Sequence, residues 1–223
     1  MDDNSGLEYL PIYFDVRDRA VLIVGGGSAA WHKVQIVRRA GGCGRVIAPR
    51  VNVELRTLVD SGEIEWLARP FAAADVAGHA LVYGATGKDA VDRAIAVAAR
   101  DLGVPVNIVD RPDLCDFIMP AIVERDPVVV AVSTGGTSPM LARNVRLALE
   151  QILPAEIGRL SRFAARYRGA VKAIRPSVAG QKRFWELFFA SPIVYEAAKG
   201  DQVAARAKML ELVNKPDNEV EAG

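Results

Sequence analysis

The sequence predicts an α/β protein, with a parallel sheet wound by helices in its N-terminal half, a small β/α segment after it and an all-helical region at the end. Three observations carry that reading. Five apolar residues, 20–24, run straight into Gly25-Gly26-Gly27, and a segment of helical periodicity follows at once. Strand-type and helix-type runs then alternate as far as residue 109, the rhythm of a doubly wound parallel sheet. From Pro154 onward strand-type runs cease and helical periodicity takes over.

Composition narrows the class. A chain of 223 residues that is 51% hydrophobic and 25% charged has the make-up of a globular protein with a real core. Its net charge of +1 provides no global field for nucleic acid or a membrane surface. The longest apolar runs, such as 127–132, fall far short of the ~20 residues a membrane span needs. The start, Met1-Asp2-Asp3-Asn4, is acidic and polar, unlike a signal peptide, so a cytoplasmic location is expected. Cys43 and Cys115 stand apart with no C-x-x-C spacing and are expected as buried free thiols. His32 and His79 each lack a partner three or four residues away. No zinc or histidine-iron site is therefore expected, and metal chemistry would have to run on carboxylates.

Residues 10–15 have strand-forming side chains and lead into an expected turn at 16–19. Next comes the glycine stretch, where Gly25, Gly27 and Ala30 fill the small positions of G-x-G-x-x-[GA]. Gly25 permits the tight turn, Gly27 lets backbone N–H groups approach a pyrophosphate, and Ala30 lets the helix lie close to its strand. This is the mark of a Rossmann-like unit. Gly41 suits the end of that helix, and residues 45–48 form a short second strand. An Asp or Glu that holds the ribose is expected about 20 residues beyond the glycines. Here the place is taken by Ala48-Pro49-Arg50, and the first acid is Glu54 on the next helix. Either Arg50 accepts a 2′-phosphate, favouring NADP, or the backbone around Pro49 carries the adenosine contact.

A second helix is expected over 53–61, a third strand over 64–67 and a fourth over 80–83, with Gly84, Ala85 and Thr86 at its carboxyl end. Apolar residues at 91, 94, 95, 98 and 102 give the 3.6-residue period of a helix over 90–102. A fifth strand over 106–109 ends at Asp110. Ligands of such sheets sit at the carboxyl ends of the strands, where the glycine loop, residues 84–86 and Asp110 converge. Asp110 reads either as a turn-capping residue before Arg111-Pro112 or as a carboxylate at the mouth of the sheet.

Beyond Asp110, the β-rich runs 117–123 and 127–132 have no helix between them and should pair antiparallel, outside the parallel sheet. The loop Ser133-Thr134-Gly135-Gly136-Thr137-Ser138 precedes Pro139, well placed as the first residue of a helix to about Leu153. Four helices are expected after Pro154, broken near Gly169, Pro176, Pro192 and Gly200. Between Glu156 and Glu186 stand Arg159, Arg162, Arg166, Arg168, Lys172, Arg175, Lys182 and Arg183 with no further acid. Such asymmetry is either a solvated face or a surface for a polyanion. Few interleaved aromatics and no recognition motif speak against nucleic acid.

Six stretches occurring in order carry a resemblance: Leu10-Pro-Ile-Tyr13, Val24-Gly-Gly-Gly27, Asn107-Ile-Val-Asp110, Phe117-Ile-Met-Pro120, the run 131–139, and Arg183-Phe-Trp-Glu186. Together they make the chain similar to the siroheme synthase dehydrogenase/ferrochelatase family, the precorrin-2 dehydrogenases, from Leu10 to about Asn214. The resemblance implies NAD-dependent oxidation of precorrin-2 to sirohydrochlorin, followed in many members by insertion of ferrous iron. It implies an NAD-binding domain over 1–116, a dimerisation segment over 117–153, a helical domain over 154–214 and a disordered tail over 215–223. A homodimer is implied, whereas the methyltransferase domain of multidomain members finds no room in 223 residues. By carry-over Asp110 is the catalytic carboxylate. Asn107, Ser133, Thr134 and Ser138 are then substrate contacts, and Gly25, Gly26, Gly27, Ser28, Ala29, Pro49, Arg50 and Thr86 hold the cofactor. No protein metal ligand is implied. The loop hydroxyl that some members phosphorylate is Thr134 here, where Ser is usual. NAD stays favoured over NADP because the family tolerates loss of the ribose acid. The basic helices would meet the many carboxylates of the tetrapyrrole. The alternative is a nucleotide-sensing protein on the same fold without turnover.

Overall fold

In the computed structural model, residues 8–214 are described, and the chain divides after Met119 into two compact units. The first unit is built on β1 (Ala20–Val24), β2 (Cys43–Ile47), β3 (Glu65–Leu67), β4 (Leu81–Gly84) and β5 (Val106–Ile108). All pair parallel in the order β3-β2-β1-β4-β5. Crossover helices α1 (Ser28–Arg39), α2 (Val53–Asp60) and α3 (Asp89–Asp101) cover the two faces. Sheets covered on both sides need strands that are apolar throughout rather than alternating. β1 meets that demand, since Val21, Leu22, Ile23 and Val24 are all buried. Val21 and Ile23 face Ala30, Val34 and Val37 of α1, while Leu22 and Val24 face Ile95, Ala96 and Ala99 of α3. Strand order reverses between β1 and β4, the point where open α/β sheets bind ligands.

Several expectations are corrected. Residues 10–15 form no strand: Leu10, Ile12 and Tyr13 are exposed, and Asp15 turns back to take hydrogen bonds from Arg17. The segment pairs with neither edge strand, β3 nor β5. Cys43 is exposed at the first position of β2 and Cys115 is half-buried, so neither is the buried thiol expected, although both are free. His79 is buried in the turn before β4, its Nδ1 set against the carbonyls of Val76 and Ala77, and His32 is exposed beside Trp31.

The second unit opens on a hairpin of β6 (Ala121–Arg125) and β7 (Val128–Val132), antiparallel and separate from the five-stranded sheet. The expected run 117–123 is strand only from Ala121, and the strand continues through Glu124 and Arg125. Next come α4 (Pro139–Ile152), with Pro139 in its first turn, then α5 (Glu156–Ile174), α6 (Val178–Ala190), α7 (Ile193–Lys199) and α8 (Gln202–Asn214). The break expected near Gly169 does not occur, because α5 runs through it for 19 residues. A single glycine costs a helix only about 1 kcal/mol, less than the packing of a long amphipathic face returns. Phe163, Val171, Phe184, Phe188, Ala205 and Met209 form the helical core. The segments expected as separate dimerisation and helical domains lie in one unit. The tail 215–223, expected to be disordered, lies outside the described residues.

Candidate active site

The glycine loop follows from the way β1 ends. Gly25 takes φ +134°, which a side chain would resist, and its N–H donates to Ile47 O at 3.0 Å. A Cβ on Gly25 would stand 2.3 Å from Ala85 O, and one on Gly26 would stand 1.9 Å from Arg50 O. Both glycines therefore let the loop press between the chain ends of β2 and β4. Gly27 differs. It is exposed, and a Cβ built there meets nothing within 4 Å.

Gly27 begins α1 with no side-chain cap, and the first turn carries no acid. The first intrahelical hydrogen bond runs from Trp31 N to Gly27 O, so the N–H groups of Ser28, Ala29 and Ala30 have no acceptor within the helix. Uncapped N–H groups and the helix dipole make this turn a cradle for a pyrophosphate. Ala30, fully buried against the sheet, permits the close seating of α1. These residues fit a dinucleotide. Pro49 and Arg50 are exposed on the next loop, where Asn52 N donates to Gly26 O at 2.8 Å and so ties the two loops together. Glu54 sits in the first turn of α2, leaving no carboxylate at the end of β2. Thr86 is already engaged: its hydroxyl donates to the buried Asp92 at 2.7 Å and accepts from Lys88 N at 3.1 Å.

Asp110 is exposed just past β5 and adopts φ +58°, a left-handed conformation that Asp tolerates better than most residues. The turn around it is braced. Val109 N donates to Gly84 O at 2.9 Å and Arg111 N to Ile108 O at 3.2 Å. The Arg111 guanidinium grips Asp113 through Nε at 3.0 Å and Nη2 at 2.9 Å, and it also bonds Asp89 at the start of α3. Hydrogen bonds from Arg93 and Arg111 hold the Asp89 carboxyl below its ordinary range, and the Arg111 bond does the same for Asp113. This clamp beside the carboxylate was not visible in the sequence, because it joins residues 22 apart in the chain.

Two further residues went unread. Tyr83 on β4 is 4% exposed, meets Phe117 edge-on at 5.7 Å and donates its hydroxyl to Met119 Sδ. Burial pushes its phenol up to about 12. The Lys33 ammonium, on α1, lies 5.4 Å from the Tyr83 ring centroid. The signal for Lys33 was present, since it lies three residues after Ala30 and beside Val34 on the apolar stripe of α1.

Asn107, expected as a substrate contact, has its amide engaged within the first unit. It is 7% exposed, and its amide donates to Phe117 O at 2.9 Å and reaches Cys115 Sγ at 3.5 Å. Ser133, Thr134 and Ser138 belong to the second unit, where their hydroxyls serve their own loop. Ser133 Oγ accepts from Gly135 N, Thr134 Oγ1 bridges both backbone polar groups of Ser138, and Ser138 Oγ caps α4 through Leu141 N. The basic helices are also largely self-engaged. Arg159 bonds Ala198 O and Glu156, Arg162 closes on Asp126, Arg166 reaches Gln202, and Arg175 is buried. Among the described residues no cluster of three or more His, Cys, Asp and Glu side chains could hold a metal ion, and no helix is long and apolar enough to cross a membrane.

Comparison with known proteins agrees with this fold. Residues 12–121 match a family described as putative NAD(P)-binding, and residues 156–213 match the sirohaem synthase dimerisation region. The siroheme synthase of Nitrosomonas eutropha is 41% identical over 93% of this chain, and that of Methylobacillus flagellatus is 43% identical over 93%. The chain spans 44% of the length of each. A solved structure of SirC, precorrin-2 dehydrogenase, shares the fold at a TM-score of 0.72 and 18% identity, covering 93% of this chain and 100% of that one. A nucleotide-binding sheet and a dimerisation region in the same order, carried along nearly the whole length by relatives above 40% identity, mean that the chain belongs to the siroheme synthase family.

Proposed function

We propose that this chain oxidises precorrin-2 to sirohydrochlorin with NAD as acceptor, and that Asp110 is the general base. The observation that carries this reading is a juxtaposition within one unit. An uncapped helix N-terminus opens at Gly27, and a braced, exposed carboxylate stands at the end of β5, both at the carboxyl ends of the parallel strands. When bound, nicotinamide supplies the hydride acceptor. The N–H groups of Ser28, Ala29 and Ala30 hold the pyrophosphate, and the Pro49–Arg50 backbone borders the adenosine. Oxidation of a C–C single bond to a double bond releases one hydride and one proton, and Asp110 takes the proton. Ser133, Thr134 and Ser138 enter this reading through the shape they impose on their loop. A homodimer completes the proposal.

The same carboxylate can accept pyrrole N–H protons when ferrous iron enters sirohydrochlorin, so iron insertion is proposed as a second activity of the site. Anaerobic insertion into sirohydrochlorin without NAD tests it separately. For the oxidation, Asp110→Asn should retain NAD binding while turnover, followed as NADH absorbance, falls by roughly 10²–10⁴-fold. Near wild-type turnover would remove Asp110 from the chemistry. Tight NAD binding with no turnover by the wild-type chain would favour the nucleotide-sensing alternative.

A further inference from the structure

Lys33 is a cation in an unusual place. It belongs to the sheet-facing side of α1, half-buried beside Ala30 and Val34, with its ammonium over the ring of the buried Tyr83. Among the described residues no carboxylate comes within the 4 Å of an ion pair with it. Asp110 and Cys115 act on it only at longer range, pulling its charge up, while burial pushes it down more strongly. An ammonium has three donors to satisfy, and the face of an aromatic ring takes up only one side of it. Placing a cation against an apolar stripe is unfavourable unless an anion completes it.

We infer that Lys33 and the ring of Tyr83 form a subsite that binds one carboxylate of the tetrapyrrole, beside the Asp110 turn. The inference rests on the function proposed above and adds to it a specific anchor in the first unit. It adds to the recognition of substrate charge a lysine of the nucleotide-binding unit, whereas Arg159, Arg162 and Arg166 of α5 are engaged in the second unit's own contacts. Lys33 lies three residues beyond Ala30, the last N–H of the pyrophosphate cradle, so nucleotide affinity has to be read alongside substrate affinity. An anchored carboxylate fixes the macrocycle relative to the base, which is what proton abstraction requires of a bound substrate.

The test uses the full chain and compares wild type, Lys33→Met and Lys33→Arg. Four quantities are read: KM and kcat with precorrin-2, the Kd of sirohydrochlorin from tryptophan quenching, and the Kd of NAD. Lys33→Met keeps the apolar stem and should raise both KM and the sirohydrochlorin Kd roughly tenfold or more, the worth of one charge-assisted hydrogen bond. The NAD Kd should stay within about twofold, and Lys33→Arg should restore most of the lost affinity. Unchanged KM and Kd would overturn the subsite and leave Lys33 a packing residue. A fall in kcat alone would overturn it in favour of an effect on Asp110, and a weakened NAD Kd would reassign Lys33 to the nucleotide. Absence of turnover in the wild type would overturn the proposed function itself, so the two failures are distinct.

Discussion

At the residue scale, three consecutive glycines have three different reasons to be glycine. Gly25 needs its positive φ, Gly26 needs the absence of a Cβ against Arg50 O, and Gly27 has free space where a ligand belongs. Substitution should separate these roles. Gly26→Ala forces a Cβ onto backbone and should lower stability by about 1–3 kcal/mol, read as a fall in the denaturant midpoint. Gly27→Val meets no protein atom and should cost no more than about 1 kcal/mol as a poorer helix start. It should nonetheless weaken NAD binding tenfold or more in a direct titration, because it fills the cradle. If Gly27→Val binds NAD as the wild type does, the cradle has been misplaced. The motif was legible at this scale. The self-engagement of Thr86, Asn107 and the loop hydroxyls was not, because a sequence names a hydroxyl or an amide without naming its partner.

At the element scale, the length and lining of each helix decide what a substitution does. Within α5, a Cβ on Gly158 would lie 2.3 Å from the carbonyls of both Arg125 and Asp126, so the helix rests directly on the hairpin turn. Gly169 in the same helix faces nothing within 4 Å. Gly169→Ala should therefore stabilise by up to about 1 kcal/mol through helix propensity, while Gly158→Ala should destabilise in spite of it. Paired denaturant curves check both, and a stabilised Gly158→Ala would contradict the packing of α5 on the turn. In the connection between β3 and β4, Asp75 accepts from Arg69 at 2.6 Å and from Ala72 N at 2.8 Å, and the Arg69 bond holds its carboxyl below the ordinary range. A carboxyl whose folded value is depressed contributes stability above the unfolded value of about 3.9 and loses it as pH falls through the folded value. The stability gap between wild type and Asp75→Asn should therefore be full at neutral pH and close progressively below about pH 4. A gap that persists to the acid limit would remove the ion pair as its cause.

At the scale of the whole molecule, α4 stands out because it buries only Ala142 while Met140, Leu141, Val145, Leu147 and Ile152 are exposed, with Val129 of β7 also uncovered. An uncovered apolar face of this kind marks an association surface. Residues 156–213 carry the family's dimerisation match, so the proposed dimer draws on both parts of the second unit. Replacing Leu141 and Val145 together by Glu should shift the proposed dimer to monomer in sedimentation velocity. A double variant that sediments as a dimer would release α4 from the interface.

Periodicity and glycine placement by themselves determined the parallel sheet, the antiparallel hairpin, the start of α4 at Pro139 and the cradle of α1. These are local or nearest-neighbour properties, written into the spacing of apolar residues and into backbone positions that only glycine fills. Tertiary structure alone decided that residues 10–15 stay outside the sheet, that α5 continues through Gly169, and that Arg159, Arg162 and Arg166 are engaged within their own unit. It alone brought Lys33, Tyr83 and the braced turn of Asp110 together. Those outcomes depend on which groups compete for the same partner across long stretches of chain, and that competition is resolved only when the chain has folded.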